Sequence, residues 1–162
     1  MGIFRRGKKA SRPAETVTMT VVDLPNGWRS RVAGTSFHQA EIRGALSVAT
    51  QEPPEGIHVV NHKSTFQEED AQAIGWVEVV LICEPDNKHD PNAVAVFSMT
   101  HGQLGHLKAE WAAEWQPILR RLDRKGQQGT CPAYIRDTGH DALGVTLCLS
   151  TAEYAERSGE ID

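Results

Sequence analysis

Two apolar runs of strand length, VEVVLICEP (77–85) and NAVAVFSM (92–99), are separated by the six residues DNKHDP, and no other feature limits the fold as tightly. The first run is nearly continuous and stops at a proline, and the second alternates. Both patterns suit strands that pair as neighbours. The spacer is a turn-forming loop: Asp90 precedes Pro91 and is biased to an extended backbone, and Asn92 can turn the chain through its amide.

The remaining segments are mostly strand-like. TVTMTVVDL (16–24) closes on Pro25-Asn26-Gly27, after which WRSRVAGTSF (28–37) resumes an extended pattern, so these two are expected to pair. From 47 to 74 the pattern dissolves into polar, proline-containing sequence, a surface insertion with at most a short strand and a short helix. QLGHL is short and β-like. Leu107, Trp111, Trp115, Ile118, Leu119 and Leu122 then recur at helical spacing, and the two tryptophans read as core packing. Pro117 is expected to break this helix near Trp115 and to open a second short one ending at Gly126. CPAYIRD and GVTLCLS form a last hairpin. The expected fold is mainly β with two helices (α+β), a small barrel or strongly bent sheet capped by a helical hairpin at about 108–125. The expected organisation is a basic flexible tail at 1–14, one domain at 15–155 and a flexible tail at 156–162.

Charge narrows the function. Seventeen Lys and Arg against 21 Asp and Glu give a net charge of -4, which argues against coating duplex DNA by bulk electrostatics. Arg5, Arg6, Lys8, Lys9 and Arg12 precede the first strand, so residues 13–162 hold 12 basic against 21 acidic groups. Cys83, Cys131 and Cys148 lack the spacing of a zinc site or a disulfide framework and read as small core residues. No apolar run approaches the ~18 residues of a membrane span, and a soluble, cytoplasmic protein is expected.

Three histidines stand out: His38, His89 and His106. None sits in a metal-ligand pair, so no metal and no cofactor is expected. A nucleophile elbow, a glycine-rich phosphate loop and a helix-borne carboxylate pair are all missing from the sequence. Catalysis would have to rest on His89, Asp90 and His106 alone, and an enzyme is not expected.

Three blocks in order, VAGTSF (32–37), EPDNKHDPNAVAV (84–96) and LGHLKAE (104–110), resemble the HIRAN domain family, in a stand-alone member of bacterial or phage type. The resemblance covers roughly residues 30–150. It implies a small β-barrel related to the OB and SH3-like folds, and a module that grips the free 3′ end of single-stranded DNA in repair or replication. It places Phe37 and His89 as the two walls of a pocket for the terminal base, with Leu143 where a further aromatic would stack. It places Asp90 as acceptor for the terminal 3′-hydroxyl, and His106 and Lys108 on phosphates. Ser36 stands where the family's DNA-binding member has an arginine, with Arg29, Arg31 or Arg43 as candidates to compensate.

These residues also have a plain structural reading. Asp90 and Asn92 suit a loop that bonds its own backbone, His106 a junction that bonds a neighbouring carbonyl, and Phe37 a core position. A second function class follows from the acidic body: a protein-interaction module that docks its partner through 47–74, with His62, Lys63 and the acidic 68–70 run, and with a vestigial nucleic-acid pocket.

Overall fold

The computed structural model describes residues 19–57 and 73–161. Its centre is the expected strand pair: β3 (Ala73–Cys83) and β4 (Val94–Ser98) run antiparallel, from Val79 opposite Ser98 to Cys83 opposite Val94. β5 (Gly102–His106) adds to β4, and β6 (Gln127–Asp137) and β7 (Leu143–Cys148) form the last hairpin on the other side of β3. With β2 (Arg29–Arg31) on β7, the strand order is β2-β7-β6-β3-β4-β5.

The sheet curls into an open half-barrel. The chain leaving β2 on one edge reaches β5 on the other, where Ala33 and His106 exchange both backbone hydrogen bonds at 2.9 Å. Inside the curl lie Val79, Leu81, Val94, Val96, Ala133, Val145 and Leu147, all at or near full burial. Apolar area removed from water at roughly 25 cal/mol per Å² makes this filling the main stabilising contribution.

Three α-helices are present among the described residues, where two were expected. Gln39–Ser47 (α1) was missed, although Ile42, Ala45 and Leu46 recur at helical spacing and pack on the core. Ala109–Arg124 (α2) is one continuous helix through Pro117, not the expected pair. Proline deletes one backbone bond, but Trp115, Ile118, Leu119 and Leu122 on both sides of it are buried on the same sheet face. Trp115 also donates its indole N–H to Ser150 C=O at 3.1 Å, so tertiary packing overrides the local penalty. Ala152–Ser158 (α3) is capped by Thr151 and buries Ala155, and Ile161 is buried too, so the stretch expected as a tail from 156 begins as helix.

The first expected hairpin is also corrected. β1 (Thr20–Asp23) pairs not with β2 but in parallel with Gln127–Thr130 of β6. Leu24 follows with a 2.8 Å bond to Thr130 C=O and packs where a Cβ on Gly129 would stand, 2.8 Å from its methyl. In 28–37 only Arg29–Arg31 is a strand, and Thr35–Phe37 is a 3-10 turn. The basic stretch 1–14 and residues 58–72 of the expected insertion, with His62, Lys63 and the acidic run, lie outside the described residues. Within 47–57, Thr50 bridges Trp76. Cys131 and Cys148 are buried and Cys83 is half-buried, and none of the three is in a disulfide among the described residues. Among the described residues no helix is long and apolar enough to cross a membrane.

Candidate functional site

The loop between β3 and β4 is built by its own side chains. Asn87 Oδ1 accepts the backbone N–H groups of His89 (2.9 Å) and Asp90 (3.1 Å), and Asn87 Nδ2 donates to Glu84 Oε2 (3.1 Å). Asp90 Oδ1 accepts the N–H of Asn92 at 2.8 Å, and Asp90 C=O accepts the N–H of Ala93 at 3.0 Å. Glu84 N–H closes the loop on Ala93 C=O at 2.9 Å. These are the local bonds that asparagine and aspartate offer a turn. The structural reading of Asp90 thus holds for one oxygen; among the described residues Oδ2 has no hydrogen-bond partner.

Glu84 ties this loop to β5. Its Oε2 lies 2.7 Å from His106 Nε2, with about a third of each side chain exposed. So short a contact to a carboxylate requires the proton on Nε2, which makes Nδ1 the acceptor in a neutral ring and a second donor in an imidazolium. Gln103 Nε2, 3.4 Å from the same nitrogen, donates instead to Gly105 C=O at 3.2 Å. Burial pushes the Glu84 carboxyl up, but the hydrogen bonds from His106 and Asn87 and the imidazolium charge together outweigh it. The net position is below the ordinary carboxylate range. His106 thus bonds a carboxylate through its side chain and Ala33 through its backbone, where the sequence suggested a carbonyl partner.

The turn carrying Ser36 and Phe37 reaches His106 through that Ala33 bridge. Gly34, at φ 73°, takes the left-handed conformation that starts the turn, and Phe37 N–H bonds Gly34 C=O at 3.1 Å. His38 ends the turn and precedes α1. Gln39 pins the segment: its amide donates to Thr35 C=O and Leu143 C=O, each at 2.9 Å, and accepts Leu143 N–H at 2.8 Å. Phe37 is 86% exposed, the most open large apolar side chain among the described residues, so the core reading is excluded. Ser36 is exposed beside it.

Lys108, two residues past His106, sits at the N-terminal boundary of α2 with its side chain exposed and its C=O accepting Ala112 N–H. Leu143 is corrected: it is buried at 8% exposure under the Gln39 clamp and offers no surface to a base. Arg43 donates to Asp141 C=O at 3.0 Å. Hydrogen bonding thus links Asp90, His89, Glu84 and His106, and the chain links Phe37 and Lys108 to His106. Glu84, Asn87 and Gln39 were missed as site builders; the first two were visible in the spacing E-P-x-N-x-x-D, whereas Gln39 acts 104 residues away and left no trace.

No curated protein matches the chain. Among solved structures, the crystal structure of the HIRAN domain of human HLTF is similar at 22% identity, covering 83% of this chain and 84% of that one, with a TM-score of 0.36. The HIRAN domain family matches residues 29–133, well over half of the chain and inclusive of all three sequence blocks. The chain belongs to the HIRAN domain family.

Proposed function

We propose that this protein is a non-catalytic module that binds single-stranded DNA by its free 3′-hydroxyl end, in the setting of repair or replication. The observation that carries the reading is Phe37, 86% exposed on a turn locked by backbone bonds to the His106 strand. Family membership supports the nucleic-acid class of ligand.

In this reading Phe37 and His89 stack on the terminal base, which is worth ~1–3 kcal/mol per base and tolerates any sequence. Asp90 Oδ2 accepts the 3′-hydroxyl proton; a carboxylate welcomes that donor and repels a phosphate in its place. His106, oriented by Glu84, and Lys108 hold phosphates, His106 through Nδ1 when the ring is protonated. Ser36 in place of arginine removes a charge-assisted contact of roughly 1.5–3 kcal/mol, so modest affinity is expected.

A fluorescence-anisotropy titration of a linear single strand against a covalently closed circle of the same sequence tests this. The linear strand is expected to bind saturably and the circle far more weakly. Equal binding contradicts end recognition. Binding of neither at low salt would select the alternative, docking of a protein partner through 47–74.

A further inference from the structure

Apart from that site, a groove of about 750 Å³ runs along the outer face of α2, lined by Gln116, Pro117, Arg120, Arg121, Asp123 and Arg124. Arg120 and Asp123 also line a hollow of about 140 Å³ that extends to Cys83 and Pro85. The two hollows share Arg120 and Asp123 and lie between the C-terminal half of α2 and the start of the Glu84–Ala93 loop. Gln116 fastens α2 to the far side of the same loop, donating to Pro91 C=O at 3.1 Å.

The charge here is opposite to that of the body. Residues 120–125 hold four cations, Arg120, Arg121, Arg124 and Lys125, against the single acid Asp123. Arg121 is occupied by Glu156 at 3.2 Å. Arg124 spends its Nε on Arg120 C=O at 3.3 Å, and neither Arg120 nor Arg124 has a carboxylate partner among the described residues. The pair lies one helical turn apart, about 5–6 Å at Cβ, and guanidinium forks match phosphate oxygens bidentately. A small free phosphate needs one such fork. Two forks in one groove suit a chain of phosphates.

We propose that this groove carries the sugar–phosphate backbone of the bound strand upstream of its end, with Arg120 and Arg124 on successive phosphates. The proposal rests on the end-binding reading above. Asp123, in the same groove, opposes phosphate and limits the affinity.

The test uses the full chain and single-stranded oligonucleotides of 4 and 14 nucleotides, with 3′-hydroxyl or 3′-phosphate ends, against wild type, the double variant Arg120→Gln/Arg124→Gln, and Asp123→Asn. All three side chains are exposed, and an unchanged Tm verifies folding. Wild type is expected to bind the 14-mer more tightly than the 4-mer, and the double variant to lose that advantage while keeping its 4-mer affinity. The slope of log affinity against log salt for the 14-mer should fall by about 1.4, from roughly 0.7 per lost charge on a single strand. Asp123→Asn should tighten the 14-mer alone. A length advantage that survives in the double variant, or no length advantage in wild type, overturns the groove and leaves the end site standing. Arginine-dependent 14-mer binding that ignores a 3′-phosphate keeps the groove and removes end reading. Binding of neither length overturns both.

Discussion

The Glu84–Ala93 loop and the Gly34–Phe37 turn both end on His106, one through its imidazole and the other through its backbone, yet they are held by opposite means. The loop is stiffened mainly from within, where the Asn87 side chain makes three hydrogen bonds and Asp90 adds another, and Glu84 and Gln116 tie it to β5 and α2. The turn is held from outside, by the Ala33 bridge and by Gln39, and its own side chains Ser36 and Phe37 face solvent. Polar groups that must accept a proton or hold a charge gain from fixed geometry, since a misplaced donor or acceptor loses most of its value. An apolar ring that stacks on any base does not need that fixing.

If the turn depends on outside support, the largest effect should come from breaking its bridge. A Cβ on Gly105, at φ 152°, would stand 2.3 Å from the Ala33 carbonyl oxygen. Gly105→Ala is expected to destabilise the protein by roughly 2–4 kcal/mol through strain and overpacking, measured as a lowered urea midpoint. An unchanged midpoint would show that the Ala33–His106 bridge is not needed. The loop's internal support is sharpened next. Asn87→Ala removes three hydrogen bonds and leaves two backbone donors unmatched, which should cost about 1–3 kcal/mol and show as faster amide exchange at His89 and Asp90. Phe37→Ala should leave the urea midpoint in place, since the ring is exposed, while weakening oligonucleotide binding by ~1–3 kcal/mol. A loss of stability instead would make Phe37 a structural residue.

The smallest effect is acid sensitivity. The folded Glu84 carboxyl lies below its ordinary value, so its contribution is fully present above the unfolded value of about 4.3 and is lost as pH falls through the folded one. Glu84→Gln should therefore show a flatter fall in unfolding free energy below about pH 4.3 than wild type; parallel curves would mean that Glu84 contributes nothing through its charge.

The same contrast explains what was legible in the sequence. The β3–β4 pair, the last hairpin and the helical face of Trp115 to Leu122 could be read because each is encoded by local periodicity. The Glu84, Asn87 and Asp90 loop was readable as a turn for the same reason, although the Glu84–His106 contact was not, since it joins residues 22 apart in the chain. Where partners are distant, reading failed: β1 found β6 across more than a hundred residues, Gln39 found Leu143, and Pro117 was carried through its helix by the sheet beneath. Leu143 fell where a further aromatic would stack, and nothing near it in sequence announces the clamp that seals it.

In the proposed function, end recognition depends on the Asp90 carboxylate. The direct measurement is the affinity of wild type and Asp90→Asn for one oligonucleotide carrying either a 3′-hydroxyl or a 3′-phosphate. Wild type should prefer the hydroxyl by about tenfold or more, the value of one charge-assisted hydrogen bond, and the variant should lose most of that preference. Equal affinity of wild type for the two ends, or a preference that Asp90→Asn leaves intact, would contradict it.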